Sequence, residues 1–464
     1  MSVIRFSEDA WVVRSDEGSP RDDALRIASA LGAVTRSRCP GSTVYVGYDT
    51  RALSQGVAVE VGDVIASYGL RARVSDVHCP TSALCEATRR DPEASSAIML
   101  TADSRSADYF GVRVRMADGS PATSADSAVI EDGVPPEVPR ARGASERVDL
   151  ITRYLEGLSL FVGGEGLRAR SPIVVCDPMH GAMSSHAARL LGSLGARVVE
   201  VHGGGKADFG GLHPEAAEPW IDDCEQAVVD HAADLGVALD GAGNRIALVD
   251  ERGKLVSPHI MLALVMEHLV RIRGLSGRMV APIFVSTIVR RQARRLGLPL
   301  TITPAGYIWM REEMAAGDVV CAGDALGGIS IPSVGFERDA LATAAVLCEV
   351  VAMDSRPLSQ IVAELDAELG HMDYGRRDVR MGSGSVQVLR NALPGLNPAE
   401  LAGMRPVEVS HPGGLMLRFD DESWVLVRPS RAFSIARVYA EAPDPASRDR
   451  LLDAATELAL SPLS

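Results

Sequence analysis

DLGVALDGAGNRIALVD, residues 234–250, sets two apolar runs on either side of a tight glycine-rich turn. The Val, Leu and Ile before Asp240 and after Arg245 predict two strands, with Gly241 and Gly243 in the turn between them. The turn carries one carboxylate (Asp240), one amide (Asn244) and one guanidinium (Arg245).

Working outward, the flanking sequence repeats an α/β grammar. In residues 20–130, DALRIASALGAVTR and VAVEVGDVIASYGL have helical spacing, whereas STVYVGYD, RARVSDV and SAIMLTAD read as strands. That alternation predicts a parallel sheet covered by helices. Residues 131–147 are rich in Pro, Gly and charge and are expected to form a linker. The first unit is expected over 1–143, and a second over 148–253, with strands SPIVVCDP and ARVVEVHG around a helix. A third, 254–368, opens on the helix SPHIMLALVMEHLVRIRG and continues through RMVAPIFVST, GDVVCAGDALGG and the helical ERDALATAAVLCEVVAMDS. The last, 369–464, is smaller and α+β: DVRMGSG, PVEVSHPGG, LMLRFDD, SWVLVRPS and a final helix, DPASRDRLLDAATELAL.

Composition bounds the function. A chain of 464 residues exceeds one core at ~100–200 residues per domain. Its mean hydropathy is near zero, and no apolar run approaches the ~18 residues of a membrane span. The start, MSVIRFSEDAWVVRSDE, has acidic residues and no apolar core with a cleavage site, so no signal peptide and a cytoplasmic setting are expected. A net charge of −14 argues against nucleic acid and anionic membrane as partners. The seven cysteines show neither paired spacing nor a disulfide framework and are expected to be buried thiols. Lys206 and Lys254 are the only lysines among 47 cationic residues, a coding bias towards arginine.

Five segments, in order, resemble the phosphohexomutases, the phosphoglucomutase and phosphomannomutase relatives: VGYDTRALS (46–54), DPMHGA (177–182), FGGLHPE (209–215), LVDERGKLVSPH (248–259) and LVRPS (426–430). The resemblance implies an α/β fold of four domains, three βαβ-type and a C-terminal α+β domain.

It also implies four chemical loops, each altered here. The turn at 240–245 is similar to the family's DGDADR or DGDGDR, whose alternate carboxylates clasp magnesium. Ala242 and Asn244 replace two of them, and one Asp with a neutral amide makes a poor site for a hard cation. Thr101-Ala-Asp-Ser-Arg-Ser106 aligns with TASHNP, placing Asp103 where the family serine carries phosphate, Ser104 for the His, and Arg105 and Ser106 for Asn-Pro. Asp103 can mimic a fixed phosphate charge, act as base or nucleophile, remain as a relic, or cap a following helix. A shift of frame would make Ser104 the nucleophile. In the sugar-reading loop Asp324 replaces a Glu and Leu326 a hydroxyl, and Gly306-Tyr-Ile-Trp309 has Ile308 in place of Lys. Tyr307 and Trp309 are expected in the core, and His180 and His213 are structural turn residues or, less simply, catalytic. The last loop, Arg428-Pro-Ser-Arg-Ala-Phe-Ser434, keeps Arg428 and Ser430 and adds Arg431. Arginine is suited to bidentate oxyanion contact.

The expected outcome is a diverged scaffold that has lost mutase activity and needs no metal or cofactor. It would bind a small anionic metabolite and catalyse elimination or ring closure in specialised metabolism. Asp103, Ser104, Asp240 and Arg245 are the catalytic candidates; Arg105, Asp324, Arg428, Ser430 and Arg431 would hold the anion. The alternatives are a non-catalytic subunit for a protein partner, and a phosphohexomutase that uses Asp103 as its phosphate carrier.

Overall fold

The computed structural model describes residues 4–7, 10–140, 142–382, 384–430 and 434–461. They form two compact units, the first of residues 1–275 and 311–362, the second of 276–310 and 363–464.

The first unit opens with a six-stranded sheet. Its order is Ala10–Arg14, Tyr109–Met116, Ala94–Leu100, Thr43–Tyr48, Arg71–Ser75, Glu146–Val148. The last four run parallel, with Val46 opposite both Val74 and Ile98; Tyr109–Met116 lies antiparallel to Ala94–Leu100. Helices Pro20–Arg38 and Ser54–Ala66 cover it, burying Leu25, Ala28, Leu31, Val57, Val61 and Ile65 against Val44, Val46 and Ile98. A strand buried on both faces reads as a continuous apolar run, which is why STVYVGYD was legible. The expected linker over 131–147 is not wholly one: its end pairs as a strand, Val74 opposite Arg147.

The second sheet runs Leu255–Val256, Ile246–Asp250, Leu235–Leu239, Ile173–Asp177, Arg197–Glu200. Its hairpin is the one read from residues 234–250, with Leu239 opposite Ile246. Both hairpin strands are buried throughout. The same unit holds the antiparallel pair Val319–Gly323 and Ile329–Ser330 and the buried helix Ala340–Met353.

In the second unit, Arg278–Pro282 and Leu300–Thr303 pair in parallel. A five-stranded antiparallel sheet follows, ordered Asp373–Arg380, Ile435–Ala442, Trp424–Pro429, Leu415–Arg418, Glu408–Ser410. Helix Pro445–Leu460 packs Leu451, Leu452, Ala455 and Ala459 on its inner face, against Val427, Val438 and Ala440. On the opposite face, buried Glu441 accepts from Ser286 Oγ, from the Thr287 main chain at 2.7 Å and from Trp424 Nε1 at 2.6 Å. Trp309, expected in the core, is 38% exposed.

Candidate active site

Strand Ala94–Leu100 delivers the chain into residues 101–108, which turn back to strand Tyr109–Met116. The turn is held from within by Arg51, which is 3% exposed. Its Nε donates to Asp49 Oδ2 at 3.0 Å. Its Nη1 donates to Ser106 O at 2.6 Å and Tyr109 O at 2.9 Å, and its Nη2 to Asp103 O at 3.0 Å and Arg105 O at 2.6 Å. All five guanidinium donors are thereby used. Arg51 also lies over the Phe209 ring, 4.9 Å from its centroid. The spacing Asp49-x-Arg51 was visible in the sequence, but its role was not; only the fold shows which carbonyls it gathers.

Asp103 stands at the head of this turn with φ at 54°, a left-handed conformation that a small polar residue tolerates. No helix follows, so the N-cap reading of Asp103 is corrected. Its carboxylate accepts from Arg113 on the adjacent strand and lies 3.4 Å from Asn244 Nδ2. Arg245 Nη1 approaches Ser104 Oγ at 3.4 Å. Arg105 is half-buried over the Tyr109 ring; burial lowers its pKa, and Asp103 beside it opposes that shift. The turn therefore brings Asp103, Ser104, Asn244 and Arg245 together. The sequence marks Arg113 only by the alternation of arginine with valine in YFGVRVRM, which does not tell which group it meets.

The hairpin turn supplies the other side. Asp240 is 1% exposed, and its Oδ1 accepts main-chain N–H bonds from Asn244 at 2.7 Å and Arg245 at 3.2 Å. Burial pushes its carboxyl up to about 6, with Arg245 pulling the other way. Gly243, at φ 73°, gives its carbonyl to Ala340 N at 3.1 Å.

This donor set does not make the magnesium site that the resemblance implies. Ala242 offers no side-chain oxygen, Asp103 is taken by Arg113, and Oδ1 of Asp240 already serves the turn. Asn244 Oδ1 is buried without a hydrogen bond among the described residues, but one neutral oxygen and one carboxylate fall short of the octahedral shell that Mg²⁺ demands.

Asp324 is spent locally. Its Oδ1 accepts from Leu326 N at 2.8 Å and Gly328 N at 3.0 Å, and Arg338 stands 3.9 Å from its Oδ2. In the second unit, Arg428 and buried Ser430 lie at the end of strand Trp424–Pro429, and Arg390 Nη2 donates to Ser430 O at 2.9 Å. Arg431 lies outside the described residues.

Models of the phosphoglucomutase/phosphomannomutase α/β/α domains I, II and III match residues 12–137, 152–253 and 257–368. A phosphoglucosamine mutase of Rhodospirillum rubrum is 31% identical over 358 residues, 74% of this chain and 76% of its own. The chain belongs to the alpha-D-phosphohexomutase superfamily. A phosphoglucomutase/phosphomannomutase of Thermococcus kodakarensis is 28% identical across 93% of this chain and 92% of its own. A solved phosphomannomutase-type structure from Thermus thermophilus, 28% identical, superposes with a TM-score of 0.87 over 98% of this chain and 99% of that one. The fold is thus the superfamily's four α/β domains.

Two expectations are corrected by these relatives. Loss of mutase activity and a lyase- or cyclase-type reaction are overturned, because relatives matching almost the whole chain are named as mutases. None points to elimination, ring closure, a non-catalytic subunit or specialised metabolism. The physical reason is that side chains missing from single loops do not abolish the site, because the fold still converges a carboxylate, a hydroxyl, an amide and guanidinium groups on one place.

Proposed function

We propose that the chain is a phosphosugar mutase in which Asp103 carries the transferred phosphoryl group. The observation that supports this reading is the meeting of the Asp103 carboxylate with Asn244 and Arg113. In the forward step an Asp103 oxygen attacks phosphorus of a sugar bisphosphate. The bond from phosphorus to the sugar oxygen breaks, and that oxygen keeps the electron pair and takes a proton from water. In the return step the free 6-hydroxyl of a sugar 1-phosphate attacks the aspartyl phosphate; the bond from phosphorus to the Asp103 oxygen breaks, the hydroxyl gives its proton to water, and the carboxylate and a 1,6-bisphosphate are restored. Arg113 and Arg245 supply positive charge beside the transferred group, a role that fixed donors perform without reorganisation. No step is assigned to a metal. The small anionic partner is then a phosphorylated sugar, and the described cysteines, all free thiols, suit a reducing cytoplasm.

The test is incubation with glucose, mannose and glucosamine 1-phosphates plus a labelled hexose 1,6-bisphosphate. Isomerisation of one of them, with a protein-bound label released by hydroxylamine, is the expected result. A hydroxylamine-stable label would move the carrier to Ser104, whose Oγ lies 3.4 Å from Arg245. Absence of both turnover and label overturns the reading.

A further inference from the structure

The loop His202-Gly-Gly-Gly-Lys206 follows strand Arg197–Glu200 of the second sheet and belongs to none of the four loops discussed above. Gly204 is exposed and Gly203 and Gly205 half-buried, the Glu200 side chain lying against Gly203, and among the described residues the N–H groups of all three glycines donate to nothing. Two buried polar side chains adjoin them. His180 is 5% exposed and Ser184 1% exposed, yet His180 Nδ1 and Ser184 Oγ make no hydrogen bond among the described residues. Buried polar groups are otherwise almost always partnered. A methyl group placed on Gly204 would meet only His180 Nδ1, at 3.9 Å, and one on Gly205 would lie 3.7 Å from Ser184 Cβ.

His180 is held rigidly for this. Its main-chain N–H donates to His202 O at 2.8 Å, and its carbonyl accepts from Thr50 Oγ1 at 2.9 Å. Both Met179 and His180 have positive φ, 50° and 55°, an unfavourable conformation that clusters at functional sites. Lys206, one of two lysines in the chain, is exposed at the end of the loop. Its stem and His180 flank the same Gly210.

The neighbouring carboxylates already have donors. Glu200 accepts from Ser185 N at 3.0 Å, Asp208 from Gly210 N at 2.9 Å, and Asp177 from Met179 N at 2.8 Å and His202 Nδ1 at 3.0 Å. What remains unspent is a set of donors: three main-chain N–H groups, a hydroxyl, an imidazole nitrogen and an ammonium. Successive main-chain N–H groups with a cation form an oxyanion cradle. We propose that the Gly203–Lys206 loop, with His180 and Ser184 beside it, binds a phosphate group. This subsite does not rest on the assignment of Asp103.

Calorimetric titration of the full chain with inorganic phosphate and with glucose 6-phosphate tests it. Lys206→Ala and Gly204→Ala are the variants, the first at an exposed side chain and the second at an exposed glycine with negative φ and room for a methyl. Both should keep the parent's melting temperature and weaken phosphate binding by about tenfold or more, the scale of losing one charge-assisted contact. Weakening of glucose 6-phosphate as well supports a sugar-borne phosphate, and weakening of inorganic phosphate alone supports the free ion. Phosphate binding equal to the parent's in both variants, or a parent that binds none, overturns the site. Repeating the titration with Asp103→Asn separates this result from the fate of the mutase reading.

Discussion

Asn244 Nδ2 lies 3.4 Å from Asp103 Oδ1, although 141 positions separate the two residues. Two turns from different sheets are thereby brought to one point, and the chemistry proposed for the chain depends on that meeting. Asp103→Asn keeps the size of the side chain and removes the nucleophile. Turnover should fall by about 10³-fold or more and the hydroxylamine-labile label should vanish. Unchanged turnover in this variant would remove Asp103 from the reaction.

Arg51 and Asp49 form a pair with side chains 2% and 0% exposed. Removing one partner of such a pair leaves a buried charge uncompensated, at a cost of about 3–5 kcal/mol. Arg51→Ala should lower unfolding stability in urea by that amount and release four carbonyls of the 103–109 turn. A loss under about 1 kcal/mol would show that water replaces the guanidinium.

Asp339 caps helix Ala340–Met353 through Ala342 N and accepts from Tyr154 Oη at 2.8 Å. Burial raises its carboxyl from 3.8 to about 6. The folded state therefore holds this proton more tightly than the unfolded state, so the group's contribution to stability is greatest below the unfolded value. It declines as pH rises from about 4 to about 6 and is flat above. Asp339→Asn keeps the cap and has no such dependence. Relative to wild type, the variant should gain on the order of 2–3 kcal/mol across that interval, read from urea unfolding at pH 4.5, 5.5 and 7. A constant difference across the series would refute the shift.

Glu441 gathers Ser286, Thr287 and Trp424 in the second unit. Glu441→Ala orphans three buried donors, and the expected loss is about 3 kcal/mol or more, with Glu441→Gln milder. Urea unfolding of the two variants beside the parent reads the loss. Equal stability of the two variants would argue against the network.

The sequence carried the fold because apolar period and glycine turns are local signals. The hairpin at 234–250 lies where its reading placed it. Strand Ile435–Ala442 is poorly legible in the sequence because alanines fill its buried face, Ala436, Ala440 and Ala442 among them, and alanine signals a strand weakly. The site was less legible. Residue types told which groups were absent, but not that Arg113 would reach Asp103 from the next strand. Nor could they reveal that Asp324 would be consumed by its own loop, since a carboxylate's partners depend on distant backbone.

Gly327, at φ 81°, passes so near Ile246 that a methyl there would sit 2.2 Å from the Ile246 carbonyl oxygen, while Ile246 N donates to Gly327 O at 3.1 Å. The segment after Asp324 is thus seated on the hairpin as a tile on its neighbour. Exchanging that segment for one with a bulkier residue would displace the Asp240–Arg245 turn as well. A redesign of the segment after Asp324 therefore has to include the hairpin turn as well.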